Sequence, residues 1–89
     1  MTPSDTELLR IEILKLLTAN RDTRFHISVI VDRLCRQVPH VTFDETDIAE
    51  SLAMFEGLAL VERIKSPLYG PPQWQITQQG VLFYETTRQ

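Results

Sequence analysis

The sequence predicts a small, mostly helical α+β fold: a three-helix core, a short strand, a β-hairpin and a C-terminal helix. Three observations carry that expectation. Apolar residues recur at helical spacing in three separate stretches before residue 58. The third stretch, Phe43 to Leu58, meets a glycine at Gly57 and passes directly into the β-prone run Ala59-Leu60-Val61-Glu62-Arg63-Ile64-Lys65. Beyond a turn rich in proline and glycine, Gln73-Trp74-Gln75-Ile76-Thr77 alternates polar and apolar, as a strand with one buried face does. With 89 residues the chain makes one domain, 1–89, with a single modest core.

Taken in order, Ser4 or Asp5 can cap a first helix, with Glu7 placed for a capping box on Ser4. The helix runs to about Ala19-Asn20. Leu9, Ile13, Leu16 and Leu17 form one face, and Leu8, Ile11 and Leu14 occupy much of the remaining circumference. That second face is either embedded in the domain or packed on another copy of the chain. Asn20 to Arg24 is a polar turn, Phe25-His26-Ile27 a short strand, and Ser28 a cap for the second helix. Ile27, Ile30, Val31, Leu34, Cys35 and Val38 then make a one-sided stripe, in which Cys35 reads as a small buried hydrophobe. Pro39 ends that helix.

Thr42 or Asp44 caps the third helix, in which Ile48, Leu52 and Phe55 face inward and Thr46, Asp47, Glu50, Ala53 and Met54 face away. Gly57 stands where a left-handed residue is commonly needed. Ser66 to Pro72 forms a stiff hairpin tip, and Thr77 caps a last helix from Gln78 to about Thr87. Val81, Leu82, Phe83 and Tyr84 give this helix more apolar surface than one face requires. The surplus on the first and last helices points to a homodimer through Leu8, Ile11, Leu14, Val81, Phe83 and Tyr84.

This order resembles the winged-helix-turn-helix domains of bacterial and phage regulators of the MarR-like, PadR-like and ArsR-like kinds. The likeness rests on Ile11, Leu14 and Leu17, on Ser28 to Leu34, on the run Leu52 to Arg63 with its Gly-Leu and following Leu-Val, and on Trp74-Gln75-Ile76-Thr77-Gln78-Gln79-Gly80. Small proteins of Mu-like prophages are a weaker resemblance. The likeness implies a third helix in the DNA major groove, presenting Thr46, Asp47, Glu50, Ala53 and Met54. It also implies a hairpin wing contacting the backbone or the minor groove through Arg63, Lys65, Tyr69 and Gln73.

Charge opposes the first of these roles. Residues 42–57 contain five acids and no base, and the whole chain carries −3. Reading bases and approaching phosphates call for Arg, Lys, Asn or Gln. Cations lie instead on the first loop, the second helix and the hairpin. The sequence therefore points to double-stranded DNA bound through Arg21, Arg24, Arg33, Arg36, Arg63, Lys65 and Tyr69. The alternative is a protein partner met by Asp47, Glu50, Met54, Leu68 and Tyr69, with Leu68 and Tyr69 either presented by the proline-rich tip or folded back onto the domain.

An enzyme is not expected, because His26 and His40 stand apart from any Ser, Cys or Asp in a recognisable catalytic arrangement. No cofactor or metal site is expected either. One cysteine cannot form an internal disulfide, no Cys/His spacing suits zinc, and Asp44, Glu45 and Asp47 are accounted for by the dipole of a helix N-terminus. The absence of a basic segment followed by an apolar run, and of any membrane-length apolar stretch, makes the expected location the cytoplasm.

Overall fold

The computed structural model describes residues 2–65, Leu68 and residues 70–87. Its described elements are α1 (Pro3–Ala19), β1 (Phe25–His26), α2 (Ile27–Gln37), α3 (Glu45–Gly57), β2 (Val61–Ile64), β3 (Gln73–Ile76) and α4 (Gln78–Thr87). The three strands form one antiparallel sheet in the order β1-β3-β2. Phe25 pairs with Trp74 and His26 with Gln73 on one side of β3, while Val61 pairs with Ile76 and Ile64 with Gln73 on the other.

The core lies between the helices and one face of this sheet. It joins Leu9, Ile13 and Leu17 of α1, Ile30 and Leu34 of α2, and Ile48, Leu52 and Phe55 of α3 to Phe25, Val61, Trp74 and Ile76 of the strands. The side-chain period of two sends Trp74 and Ile76 inward together and leaves Gln73 and Gln75 half-buried on the opposite face. In α1 the second apolar face is largely covered from within the chain. Helix α4 packs along it, so Leu14 and Val81 are core residues and not free interface. Leu8 and Tyr84 are partly buried against the same core, whereas Ile11, Leu82 and Phe83 are exposed.

Several local expectations change. The cap of α1 is Thr2, not Ser4 or Asp5: its side chain accepts from the Asp5 amide at 3.1 Å, and Asp5 accepts from the Thr2 amide at 3.4 Å. Pro3 fits this start, since a proline in the first turn withholds an amide that would have no helical partner. Helix α2 begins at Ile27 behind His26, whose side chain makes no capping bond, so Ser28 is not the cap. Cys35 is exposed. Ile30, Leu34 and Val38, at spacings of four, form the line that α2 buries, and Cys35 falls one step off it.

For α3 the cap is Asp44, closed by a reciprocal pair: Asp44 Oδ1 accepts from the Asp47 amide at 3.1 Å and Asp47 Oδ2 from the Asp44 amide at 3.0 Å. At the other end Gly57 is simply the last helical residue, and Ala59 takes the left-handed conformation, with φ 61°. Two bonds make this a Schellman close: the Leu60 amide donates to the Phe55 carbonyl at 2.8 Å and the Ala59 amide to the Glu56 carbonyl at 3.0 Å. Leu60 and Phe55 are both buried, which supplies the apolar contact that accompanies the motif. This close uses Leu58 to Leu60, so β2 starts only at Val61, two residues into the β-prone run that begins at Ala59.

The Leu60 carbonyl then joins three elements. It accepts from the Thr77 amide and the Thr77 hydroxyl, both at 3.0 Å, and the same hydroxyl lies 2.7 Å from the Ala59 carbonyl. Thr77 Oγ1 in turn accepts from the Gly80 amide at 3.0 Å, which caps α4. Gly80 packs so closely that a Cβ there would stand 2.1 Å from the Leu60 oxygen and 2.7 Å from Ile76 Cγ1. The Thr-x-x-Gly pattern thus fixes the base of the β2–β3 hairpin to the end of α3 and the start of α4.

Candidate interaction surfaces

The β2–β3 hairpin carries the first cationic group. Arg63 and Lys65, with Gly70 and Pro72 of the returning segment, line a hollow of about 320 Å³. Alternation places Arg63 on the same face of β2 as the buried Val61, where it meets Glu56 at the end of α3, with Nε 3.6 Å from Oε2. Both side chains are close to half exposed, so the pair adds at most about 1 kcal/mol to stability. It does offset part of the hairpin's positive charge.

A second group sits elsewhere. Lys15 of α1 with Arg33 and Arg36 of α2 borders a groove of about 290 Å³ whose floor includes Leu16 and Ala19. The Arg33 guanidinium lies over the Phe25 ring, 5.3 Å from its centroid, a cation–π geometry. Arg36 pairs with Asp32 at 3.3 Å one helical turn away. Arg21 belongs near the base of the sheet: Gln75 Nε2 donates to its carbonyl at 3.0 Å, and it borders a hollow with Ile76 and Thr77. Arg24 is exposed just before β1. The sheet register puts Ile64 and Gln73 nearest the hairpin loop and Ile76 farthest from it, so Arg21 lies at the end of β3 remote from Lys65. The cations expected to act together are therefore divided between the hairpin and the α1–α2 side. Tyr69, expected on the hairpin, lies outside the described residues, as do Ser66 and Pro67 of the tip. Leu68 is 76% exposed.

On α3, Glu45, Thr46, Glu50 and Ala53 are exposed. Asp47 is held in the capping box, so its carboxylate already has a structural role. Met54 is a correction: it is partly buried against the core and does not project into solvent. Met54 borders an apolar groove of about 180 Å³ together with Ile11, Leu14, Phe55, Phe83 and Tyr84. Glu7, Arg10 and Thr87 complete the rim. On its other side Arg10 also borders a hollow with Asp47 and Glu50. Among the described residues its guanidinium makes no ion pair, and its Nε is buried without a hydrogen-bond partner.

The sequence singles out neither Lys15 nor Arg10, and Glu7 only as a capping residue, a role that Asp5 takes instead. The available signal was position: Glu7 and Arg10 flank the second apolar face of α1, and Lys15 adjoins the buried Leu16. Among the described residues no three His, Cys, Asp or Glu side chains are grouped as a metal ion would require, and no helix is long and apolar enough to cross a membrane. No protein-family model, curated protein or solved structure matches the chain.

Proposed function

We propose that the chain is a winged-helix-type, DNA-binding, regulator-like protein that approaches duplex backbone through the β2–β3 hairpin and not through α3. The observation that carries this reading is the pairing of Arg63 and Lys65 on one hairpin hollow, in a chain whose element order and β1-β3-β2 sheet suit a winged helix. The acidic exposed side of α3 repels phosphates, and its N-terminal acids cap the helix. The groove with Lys15, Arg33 and Arg36 offers a second, separate phosphate contact. Binding of this kind is dominated by counterion release and is weakly sequence-dependent.

A salt titration with mixed-sequence duplex tests the proposal. Retention at low salt should fall steeply as salt rises, and an R63A/K65A double variant should weaken binding and reduce the slope of log affinity against log salt by about two. No retention of the parent chain at low salt would sink the reading. The second reading is a protein-interaction module presenting α3, favoured by five acids and no base over residues 42–57. It predicts a co-purifying partner that is lost with Glu50→Lys, a change that should leave hairpin binding to DNA intact.

A further inference from the structure

We propose that the polar hollow between α1 and α3 binds a small zwitterion, a molecule carrying an ammonium group and a carboxylate, between Glu50 and Arg10. Arg10 of α1 and Asp47, Glu50 and Ser51 of α3 border one hollow of about 290 Å³. Spacings of three and four put the α3 residues on one side of their helix, the side that borders α1. Opposite charges stand there unpaired. Among the described residues neither the Arg10 guanidinium nor the Glu50 carboxylate makes an ion pair. Asp47 Oδ2 accepts from the Asp44 amide at 3.0 Å, which fixes a second negative charge beside Glu50.

A separate observation points to a ligand. Ser51 is the one buried polar residue among those described, 3% exposed, and it borders the hollow. Its hydroxyl makes no hydrogen bond among the described residues, and Arg10 Nε is likewise buried without a partner. Buried donors left unpaired cost stability, and an acceptor placed in the hollow satisfies them. Charge selects its chemistry. An anion alone is repelled by Glu50 and Asp47, and a cation alone by Arg10. A molecule with both groups pairs its carboxylate with the guanidinium fork of Arg10 and its ammonium with Glu50. The size of the hollow, near the lower end of the roughly 300–1,000 Å³ common for ligand pockets, limits the occupant to a small molecule. The inference does not rest on DNA binding, because the hairpin cations line a different hollow.

Titration of the full chain, followed through its amide NMR shifts, tests the proposal. Glycine, β-alanine and 4-aminobutyrate serve as zwitterions of increasing length, with butylamine and butyrate as single-charge controls. At least one zwitterion should bind saturably with a dissociation constant of about 1 mM, about tenfold or more below that of either control. The largest shifts should lie around Arg10 and Ser51. Arg10→Gln should reduce zwitterion binding to the level of butylamine, and Glu50→Gln should reduce it to the level of butyrate. Glu50 is exposed, so its variant keeps the fold and decides the matter even if Arg10→Gln unfolds. A parent chain that binds no zwitterion better than the controls, or a Glu50→Gln chain that still prefers the zwitterion to butyrate, would overturn the proposal. DNA retention by the parent chain is read in its own assay, so failure of either reading leaves the other standing.

Discussion

Ala59 and Gly80 have exchanged the roles that their residue types suggest. The left-handed position after α3 is filled by an alanine, at φ 61°, while Gly57 before it needs no unusual conformation. A left-handed non-glycine residue costs about 1–2 kcal/mol, against roughly 0.5–1 kcal/mol of extra backbone entropy lost by glycine on folding. Ala59→Gly should therefore stabilise the chain by roughly 0.5 kcal/mol and raise Tm by a few degrees in a thermal melt. Gly80 is the opposite case, because its hydrogen points at the Leu60 carbonyl, with no room for a methyl group. Gly80→Ala must push α4 off its seat and should cost about 3 kcal/mol in chemical denaturation. At this scale the sequence could be only partly read. A glycine announces freedom or closeness, but which of the two depends on the bonds of Leu60 and Thr77, and these residues are 17 apart in the chain.

At the scale of elements, the start of α3 shows why acids alone are a poor guide to function. Asp44 and Asp47 each accept the other's amide, and both gain from the positive end of the helix. Asp44→Ala should remove about 1 kcal/mol of stability and lower Tm by roughly 4–8 °C. Each helix existed legibly in the pattern of apolar residues, and the hairpin in the alternation Gln73 to Ile76. Boundaries were less legible. Thr2 outcompetes Ser4 because Pro3 starts the helix two residues earlier, and β2 is shortened because Leu58 to Leu60 are used to close α3. Cys35 and Met54 were misread for a common reason: periodicity gives the direction a side chain takes from its own helix axis, but not how far the neighbouring helices extend around it. On α2 they cover too little to reach Cys35, and on α3 enough to enclose Met54 partly.

For the molecule as a whole, the division of cations is the feature that sequence could not supply. Read along the chain, Arg21 to Lys65 looks like one basic inventory. In three dimensions the sheet separates the hairpin pair from the α1–α2 groove, and Glu56 answers one member of that pair. Leu14 and Val81 show the same loss of information for the dimer face. Their apolar character was plain, yet α1 and α4 bury them against each other and leave Ile11, Leu82 and Phe83 at the surface.

The bonds that gather at Leu60 and Thr77 also make the hairpin mechanically independent of its own tip. Both of its ends are fastened at residues 60 and 77, beside the core, so the segment between Ile64 and Gln73 can change length without disturbing the clasp. Extending it by four residues after Gly70 should cost only about 0.4 kcal/mol of loop entropy in urea unfolding, with the midpoint nearly unmoved. The reach of the hairpin is thus open to change by insertion while the fold that carries it stays fixed, a division of labour between anchor and probe set by one carbonyl oxygen.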